Sequence, residues 1–296
     1  MKKILVTGGT GFIGTKLTRL LQLKGYKIIV LSRHKPKDPK LLHIKADLSK
    51  KIPHDPLLEG LYGVIHLAGK NIFGRWTKRF KKGIYDSRIE GTKNLVDALK
   101  DVKKKPKIFI SASAVGYYGD RNNELLTEKS EAGKDFLAHV CIDWEKESSK
   151  VISMGMRWAV VRTAVVLGKK GAIVKALTPL FKAFLGGPLG SGKQYFPWVH
   201  VDDLVRAYLY ILENKIDGPI NVCAPEKITN AEFSKALGEV LHRPSWFKTH
   251  KWMLRLAVGE FADAIMASQR VSSKKLESNG FSFDYPTIKK ALKKSI

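Results

Sequence analysis

The sequence predicts an α/β protein: a doubly wound parallel sheet with a smaller lobe toward its C-terminal end. Three observations predict it. Short apolar segments rich in β-formers alternate with longer amphipathic ones through about residue 166, a rhythm that places helices on both faces of a parallel sheet. A glycine-rich turn, "GGTGFIG" (8–14), stands between the first apolar segment and the first amphipathic one. From about residue 170 the rhythm gives way to irregular chain, including the glycine- and proline-rich "LGGPLGSGKQYFPWVHVDDL" (185–204). The expected division is a main lobe of 1–168 with about 196–222, and a smaller α/β lobe of 169–195 with 223–296.

The elements follow in order. "KKILVT" (2–7) is a short apolar run and reads as the first strand; two lysines before a short apolar stretch imitate a secretion signal, but glycines follow where a cleavage site would be. In "FIGTKLTRLLQLKG" (12–25), Leu17, Leu20 and Leu21 recur at helical spacing, and Gly25 ends the helix. "YKIIVLSR" (26–33) is the second strand. Further strands are expected at 41–47, 63–69, 107–113 and 158–166, with helices at 77–101 and 136–155 between them. Later helices are expected at about 202–214 and 229–242, with another in the tail at 250–268. No internal repeat or low-complexity linker separates the two parts.

The totals narrow the function classes. With 296 residues, 44% hydrophobic and 27% charged, the chain can bury a sizeable core. No apolar run approaches the length of a membrane span. Two cysteines, Cys141 and Cys223, make neither a disulfide framework nor a zinc cluster, so a reducing, cytoplasmic location is expected. The eight histidines lack metal-ligand spacing, and no metal is expected. The net charge of +26 raises nucleic acid and anionic surfaces as partners. Scattered lysines without a nucleic-acid-binding motif weigh against nucleic acid. An acidic protein partner and a homodimer stay open.

The glycine turn points to a ligand. Strand before, helix after, and glycines at 8, 9, 11 and 14 form the setting of a dinucleotide-binding turn. Gly8 and Gly9 permit the tight turn, Gly11 lets backbone N–H groups approach a pyrophosphate, and Gly14 lets helix and strand pack closely. Thr10, Phe12 and Ile13 complete this cofactor-binding stretch, whose free N–H groups face the phosphates at the positive end of the helix. The second strand ends in Ser32 and Arg33, without the carboxylate that would hold the ribose hydroxyls of NAD. A guanidinium can pair bidentately with a 2′-phosphate and a serine can donate to it, so NADP(H) is the expected cofactor. The alternative makes Arg33 an exposed loop residue. Asp47 and Leu48, after the third strand, are placed for the adenine edge; Leu67, Ala68 and Gly69, after the fourth, for the pyrophosphate and ribose groove.

"TGGTGFIG", "HLAG", "SASAVGYYGD" and "WVHVDDL" occur in this order, and with them the chain resembles the extended short-chain dehydrogenase/reductase superfamily of the sugar-nucleotide epimerase type. "SRIEGT" (87–92), "WE" (144–145), the 186–204 and 221–233 segments and "QRVSSKKLESNGFSFDYP" (269–286) are similar to its YfcH-like "epimerase family" branch, which has its own small C-terminal domain. The resemblance covers nearly the whole chain. It implies a Rossmann-type, NADP-binding fold, and it brings Arg88 and Val166 toward the cofactor. It names no substrate.

The superfamily's usual active site combines a serine with Tyr-x-x-x-Lys on the next long helix. Ser113 matches the serine, but no tyrosine lies in "FLAHVCIDWEKESSK" (136–150), where Cys141 and Glu145 carry the dyad's spacing. "YPTIK" (285–289) lies in the tail and is coincidental. Tyr117 and Tyr118 are the substitute acids, or else aromatics packing the loop; Cys141 is a thiol acid or small core filler. Glu145 is a base in an apolar setting or an ion-paired helix carboxylate. Asp202 reads as a helix cap with Asp203 beside it. The 186–198 loop either binds a phosphorylated or nucleotide-linked substrate through Lys193 and aromatic faces, or is glycine-rich only to turn tightly.

The resemblance thus implies an NADP(H)-dependent oxidoreductase or epimerase with an altered active site, acting on an unidentified small molecule. The alternative is an NADP(H)-binding regulator or redox sensor that has lost catalysis. Replacing Arg33 by alanine should weaken NADPH binding by about tenfold or more and leave NADH binding nearly unchanged. Titrating both nucleotides checks this, and an unchanged NADPH/NADH ratio removes Arg33 from the assignment.

Overall fold

The computed structural model describes residues 1–296. Seven strands form one parallel sheet: β1 (Lys3–Thr7), β2 (Lys27–Ser32), β3 (Leu42–Lys45), β4 (Leu61–His66), β5 (Ile108–Ala114), β6 (Arg157–Thr163) and β7 (Gly218–Val222). Their spatial order is β3-β2-β1-β4-β5-β6-β7, so the direction of winding reverses between β1 and β4. The crevice at the carboxyl ends of these two strands is where open α/β sheets bind ligands.

Strand side chains alternate between two cores, as the pleat requires. Ile4 and Val6, Ile28 and Val30 enter one core with Leu17 and Leu21 of α1 (Phe12–Leu23). Leu5, Ile29 and Leu31 enter the other with Leu95, Val96 and Leu99 of α2 (Lys78–Lys100). The strands are apolar without interruption because both faces are covered. α3 (Phe136–Ser149) packs beside α2.

The smaller lobe has its own core. Val174 and Phe181 of α4 (Ala172–Lys182), Phe233 and Leu237 of a later helix, and Leu292 of the last helix gather there around Trp198. α5 (Val201–Glu213) returns the chain to the sheet and packs on α1. α6 (Asn230–Leu241) starts with a capping box between Thr229 and Glu232. The tail adds α7 (Lys251–Val258), α8 (Phe261–Met266), α9 (Lys274–Ser278) and α10 (Ile288–Ser295).

Four local expectations need correction. β7 was not foreseen: "GPINV" opens with glycine and proline and is too short to show a period. The 158–166 segment is not one strand. It leaves the main sheet after Thr163, and Val165–Leu167 pairs instead with Trp198–His200. The tail helix at 250–268 is two helices, separated at Gly259, whose φ of +64° no helix tolerates. The cap of α5 is His200, whose Nδ1 accepts from the Asp202 N–H at 3.3 Å, while Asp202 pairs with Lys16 at 2.6 Å. Asp203 is fully buried and accepts the backbone N–H groups of Asp284 and Tyr285, which ties the tail to α5.

α7 and α8 fold back across the loop before α2. Trp76 stacks on Phe261 with centroids 5.0 Å apart, its backbone N–H donates to Val258 O, and Arg75 Nη1 donates to Leu256 O. This clasp packs with Ile84 of α2 and Val140 of α3 in a small apolar cluster.

Candidate functional site

The glycine turn is held by close approaches that permit no side chain. Gly8 has φ +69°, and a Cβ there would lie 2.9 Å from Ala68 N; one on Gly14 would lie 2.1 Å from Gly8 O. Gly11 N–H donates to Gly8 O and Gly11 caps α1 without a side chain. The first-turn N–H groups of α1, those of Phe12, Ile13 and Gly14, therefore have no side-chain acceptor, a cradle that suits a pyrophosphate. Thr10 is exposed at the tip of the turn and Ile13 packs on the sheet core. The Phe12 ring lies against Gly168, where an added Cβ would come within 2.9 Å of it. This contact carries the Val165–Leu167 strand, and with it Val166, alongside the turn.

Ser32 donates to His34 O at 2.7 Å, and His43 Nε2 lies 3.0 Å from Ser32 O. Arg33 is exposed and enters no ion pair within bonding distance, though its charge acts on Asp47. The Asp47 carboxylate accepts the N–H and hydroxyl of Ser49, and these hydrogen bonds, the backbone one foremost, hold its pKa below the ordinary carboxylate value. Leu48 O accepts from Asn94 Nδ2, fixing the β3 end on α2. Ser32, Arg33 and Asp47 thus border one edge of the crevice.

The floor between β1 and β4 is a hydrogen-bonded chain that the sequence did not announce. Ala68 N–H donates to Thr7 Oγ1 at 3.3 Å, and Thr7 Oγ1 lies 2.6 Å from His66 Nδ1. His66 Nε2 lies 3.0 Å from Thr92 Oγ1, which donates to Arg88 O at 2.5 Å. Only one tautomer fits. Thr92 gives its one hydroxyl proton to Arg88 O, so it must accept from His66 Nε2–H, and the unprotonated Nδ1 then accepts from the Thr7 hydroxyl. Burial pushes the His66 pKa down to about 3, aided by the charge of Arg88.

Arg88 lies over Gly69, donates to Lys70 O at 3.1 Å and to Ile84 O at 3.2 Å, and has its guanidinium 5.0 Å from the Trp144 ring centroid. It has no carboxylate partner, and burial lowers its pKa. A partly buried cation without a counter-charge, facing a glycine, fits an anionic ligand. Leu67 N–H is tied to Thr7 O at 3.2 Å.

At the ends of β5, β6 and β7, Ser113, Arg162 and Asn221 are register partners in one row. Arg162 forms a bidentate pair with Glu145 of α3, Nε to Oε1 at 2.9 Å and Nη2 to Oε2 at 2.8 Å. Ser113 donates to the same Oε1 at 2.7 Å. Side-chain exposures of 3% and 9% make Arg162 and Glu145 a buried ion pair. Arg162 Nη1 donates to Tyr118 Oη at 3.0 Å, and Tyr118 donates to Asn221 Oδ1 at 2.7 Å.

The substitute acids separate. Tyr118 is completely buried, both hydrogen-bonding functions are used inside the protein, and burial raises its pKa to about 12. Tyr117 is half-buried with Arg162 stacked 3.4 Å above its ring. Cys141 donates weakly to Ala114 O at 3.7 Å, and burial raises its pKa to about 11. Glu145 is both buried and ion-paired with Arg162, so its setting joins the two readings given to it. The 186–198 loop is knitted into the smaller lobe: Ala231 N–H donates to Gly192 O, Phe196 N–H to Ile228 O, and a Cβ on Gly187 would lie 2.4 Å from Phe247 O. Its glycines serve tight packing.

Arg162, Asn221, His66 and Thr92 were missed as site residues. The available signal was a single arginine inside the apolar "WAVVRTAVV" and a single histidine inside "GVIHLAG", since a polar group in a strand buried on both faces needs a built partner.

Residues 4–223 match the NAD dependent epimerase/dehydratase family, and residues 251–295 match a domain of unknown function, DUF1731. The chain is 38% identical to the epimerase family protein YfhF of Bacillus subtilis, over 99% of this chain and 97% of that one. The crystal structure of human epimerase family protein SDR39U1 with NADPH superposes with a TM-score of 0.87 at 31% identity, covering 99% of this chain and 98% of that one. A UDP-N-acetylglucosamine 4-epimerase from Bacillus cereus shares the fold, with a TM-score of 0.78 at 19% identity over 99% of this chain and 97% of that one.

Two stability measurements follow from this geometry. Glu145→Gln should cost about 3–5 kcal/mol by stranding the Arg162 charge, and Glu145→Gln with Arg162→Met should recover much of it. Chemical denaturation checks both, and an additive double mutant would mean the pair is not coupled. For His66 the folded pKa lies below the unfolded one near 6.5, so stability is complete above about pH 6.5. It falls as the pH drops toward 3, at up to about 1.4 kcal/mol per pH unit. His66→Gln should flatten that slope, and denaturation series at several pH values read it.

Proposed function

The chain belongs to the NAD dependent epimerase/dehydratase family, and on that footing we propose that it is an NADP(H)-dependent oxidoreductase or epimerase. Its proton chemistry runs through Ser113 and Glu145 in place of a tyrosine and lysine. The observation that carries the reading is the row Ser113–Arg162–Asn221 at the strand ends, with Glu145 closing it from α3. A buried ion pair contributes little to stability against an apolar replacement, and pairs of this kind cluster at functional sites.

The dinucleotide fits the cradle at 8–14, with Arg88 over Gly69 as its counter-charge in the groove and Ser32 and Arg33 bordering the 2′-phosphate. The human relative that superposes on this chain was crystallised with NADPH, which supports the same choice. Bound there, the nicotinamide supplies a hydride acceptor or donor. With its own proton committed to Glu145 Oε1, the Ser113 oxygen is an acceptor for a substrate hydroxyl. As the substrate carbon gives up hydride, its hydroxyl proton moves to Ser113 Oγ and the serine proton moves to Glu145. Arg162 keeps that carboxylate aimed by its two hydrogen bonds until the proton arrives. In the reverse direction the same atoms return the proton to a carbonyl oxygen. Tyr118 and Cys141 shape this site, and Tyr117, held flat under Arg162, is the phenol left beside it. A nucleotide-linked or phosphorylated substrate suits the cleft between the lobes.

A second reading, an NADP(H)-binding regulator without catalysis, is favoured by Cys141 and Glu145 standing where the dyad would be. Native mass spectrometry with NADPH, NADH and a sugar-nucleotide panel, followed by NADPH turnover on whatever binds, separates the two. The enzyme predicts a second bound small molecule and turnover. Ser113→Ala should then lower kcat about 100-fold or more, with NADPH affinity within about twofold of wild type. NADP(H) binding with every panel member ignored selects the regulator. Full turnover by Ser113→Ala removes the serine from the chemistry.

A further inference from the structure

We propose that the smaller lobe carries a docking face for an anionic lipid surface, formed where the end of α4 meets the chain before and along α7. From Ser148 through Val201, and again from Val240 through Gly259, the chain contains no Asp or Glu. These two stretches, distant in sequence, are joined in space: Trp246 Nε1 donates to Phe184 O at 3.0 Å and Phe247 N–H donates to Gly186 O at 3.1 Å. At the junction Phe184 is 52% exposed, Leu185 48% and Trp246 72%. α7 has no buried residue, and its Trp252 and Leu256, one turn apart, are 63% and 67% exposed. Large apolar side chains are rarely left in water together without a partner.

The chemistry of the face selects the partner. Lys182 and Lys248 are exposed beside these apolar groups and enter no ion pair, and Arg243 lies over the Phe184 ring at 5.2 Å. Tryptophan with leucine inside a lysine and arginine border is the composition that seats an amphipathic surface at the level of anionic headgroups. The aliphatic Leu185 and Leu256 gain nothing from stacking on bases, which favours acyl chains over nucleic acid. No helix is long and apolar enough to cross a membrane, so the contact is peripheral. The net charge of +26 adds long-range attraction to the same surface.

The test is flotation of the full chain with vesicles of neutral phosphatidylcholine, alone or with about one-third phosphatidylglycerol. The proposal expects binding to the anionic vesicles only, released by raising salt. Trp246→Ala with Trp252→Ala should weaken that binding about tenfold or more, and so should Lys182→Glu with Lys248→Glu, while NADPH binding and thermal unfolding stay as in wild type. Absence of flotation with anionic vesicles overturns the proposal. Binding that ignores the tryptophan pair, and so reflects net charge alone, overturns it too. Retention of an RNA oligomer with vesicles ignored would assign the face to nucleic acid instead.

Discussion

A guanidinium inside a sheet covered on both faces must be neutralised where it stands, and in this protein that requirement organises the carboxyl ends of β5, β6 and β7. Arg162 sits near the carboxyl end of β6, directly after the apolar Ala159, Val160 and Val161. Glu145 meets it from α3 by two hydrogen bonds, which fixes the rotation of α3 about its own axis. Ser113 then finds its acceptor on the same carboxylate, Tyr118 finds its donor on the same guanidinium, and Tyr117 finds a flat cation to lie against. Had Arg162 been apolar, Glu145 would lose its counter-charge and Tyr117 its stacked cation, leaving only the Ser113–Glu145 and Tyr118–Asn221 hydrogen bonds at that place.

The cofactor end works by the opposite device. There the glycines remove side chains so that backbone can approach backbone, and Arg88 is left without an acidic partner. The buried Thr7–His66–Thr92 chain holds β4 against α2 and ends on the Arg88 carbonyl, so the arginine's backbone is fixed while its charged head remains available. One end of the crevice is electrically complete in the protein alone and the other is completed by an anion.

The layered architecture was legible in the sequence because its signals are local. Leu17, Leu20 and Leu21 at helical spacing, the unbroken "KIIVL" run and the glycine turn each report their own conformation. β7 was not legible, because "GPINV" is defined by its neighbour β6 and not by any period of its own. The clasp of Trp76 on Phe261 and the anchoring of the tail by Asp203 join residues far apart in the chain, and no local pattern encodes them. In the site, Ser113 and Glu145 were visible as positions, but their relation depended on Arg162, which alignment of β5 with β6 brings into register. The apolar strand carrying a lone arginine was the clue, and its partner could be found only once the helix was packed.

The placement of β7 also sets a timetable. This strand follows α4 and α5 in the chain yet completes the sheet on the far side of β6. During synthesis β6 must therefore wait, with its backbone edge open and Arg162 lacking the Asn221 side of its surroundings, until more than fifty further residues have left the ribosome. An open parallel edge invites pairing with another chain. The interval between β6 and β7 thus leaves this edge of the nascent sheet open to misassembly while α4 and α5 are being made.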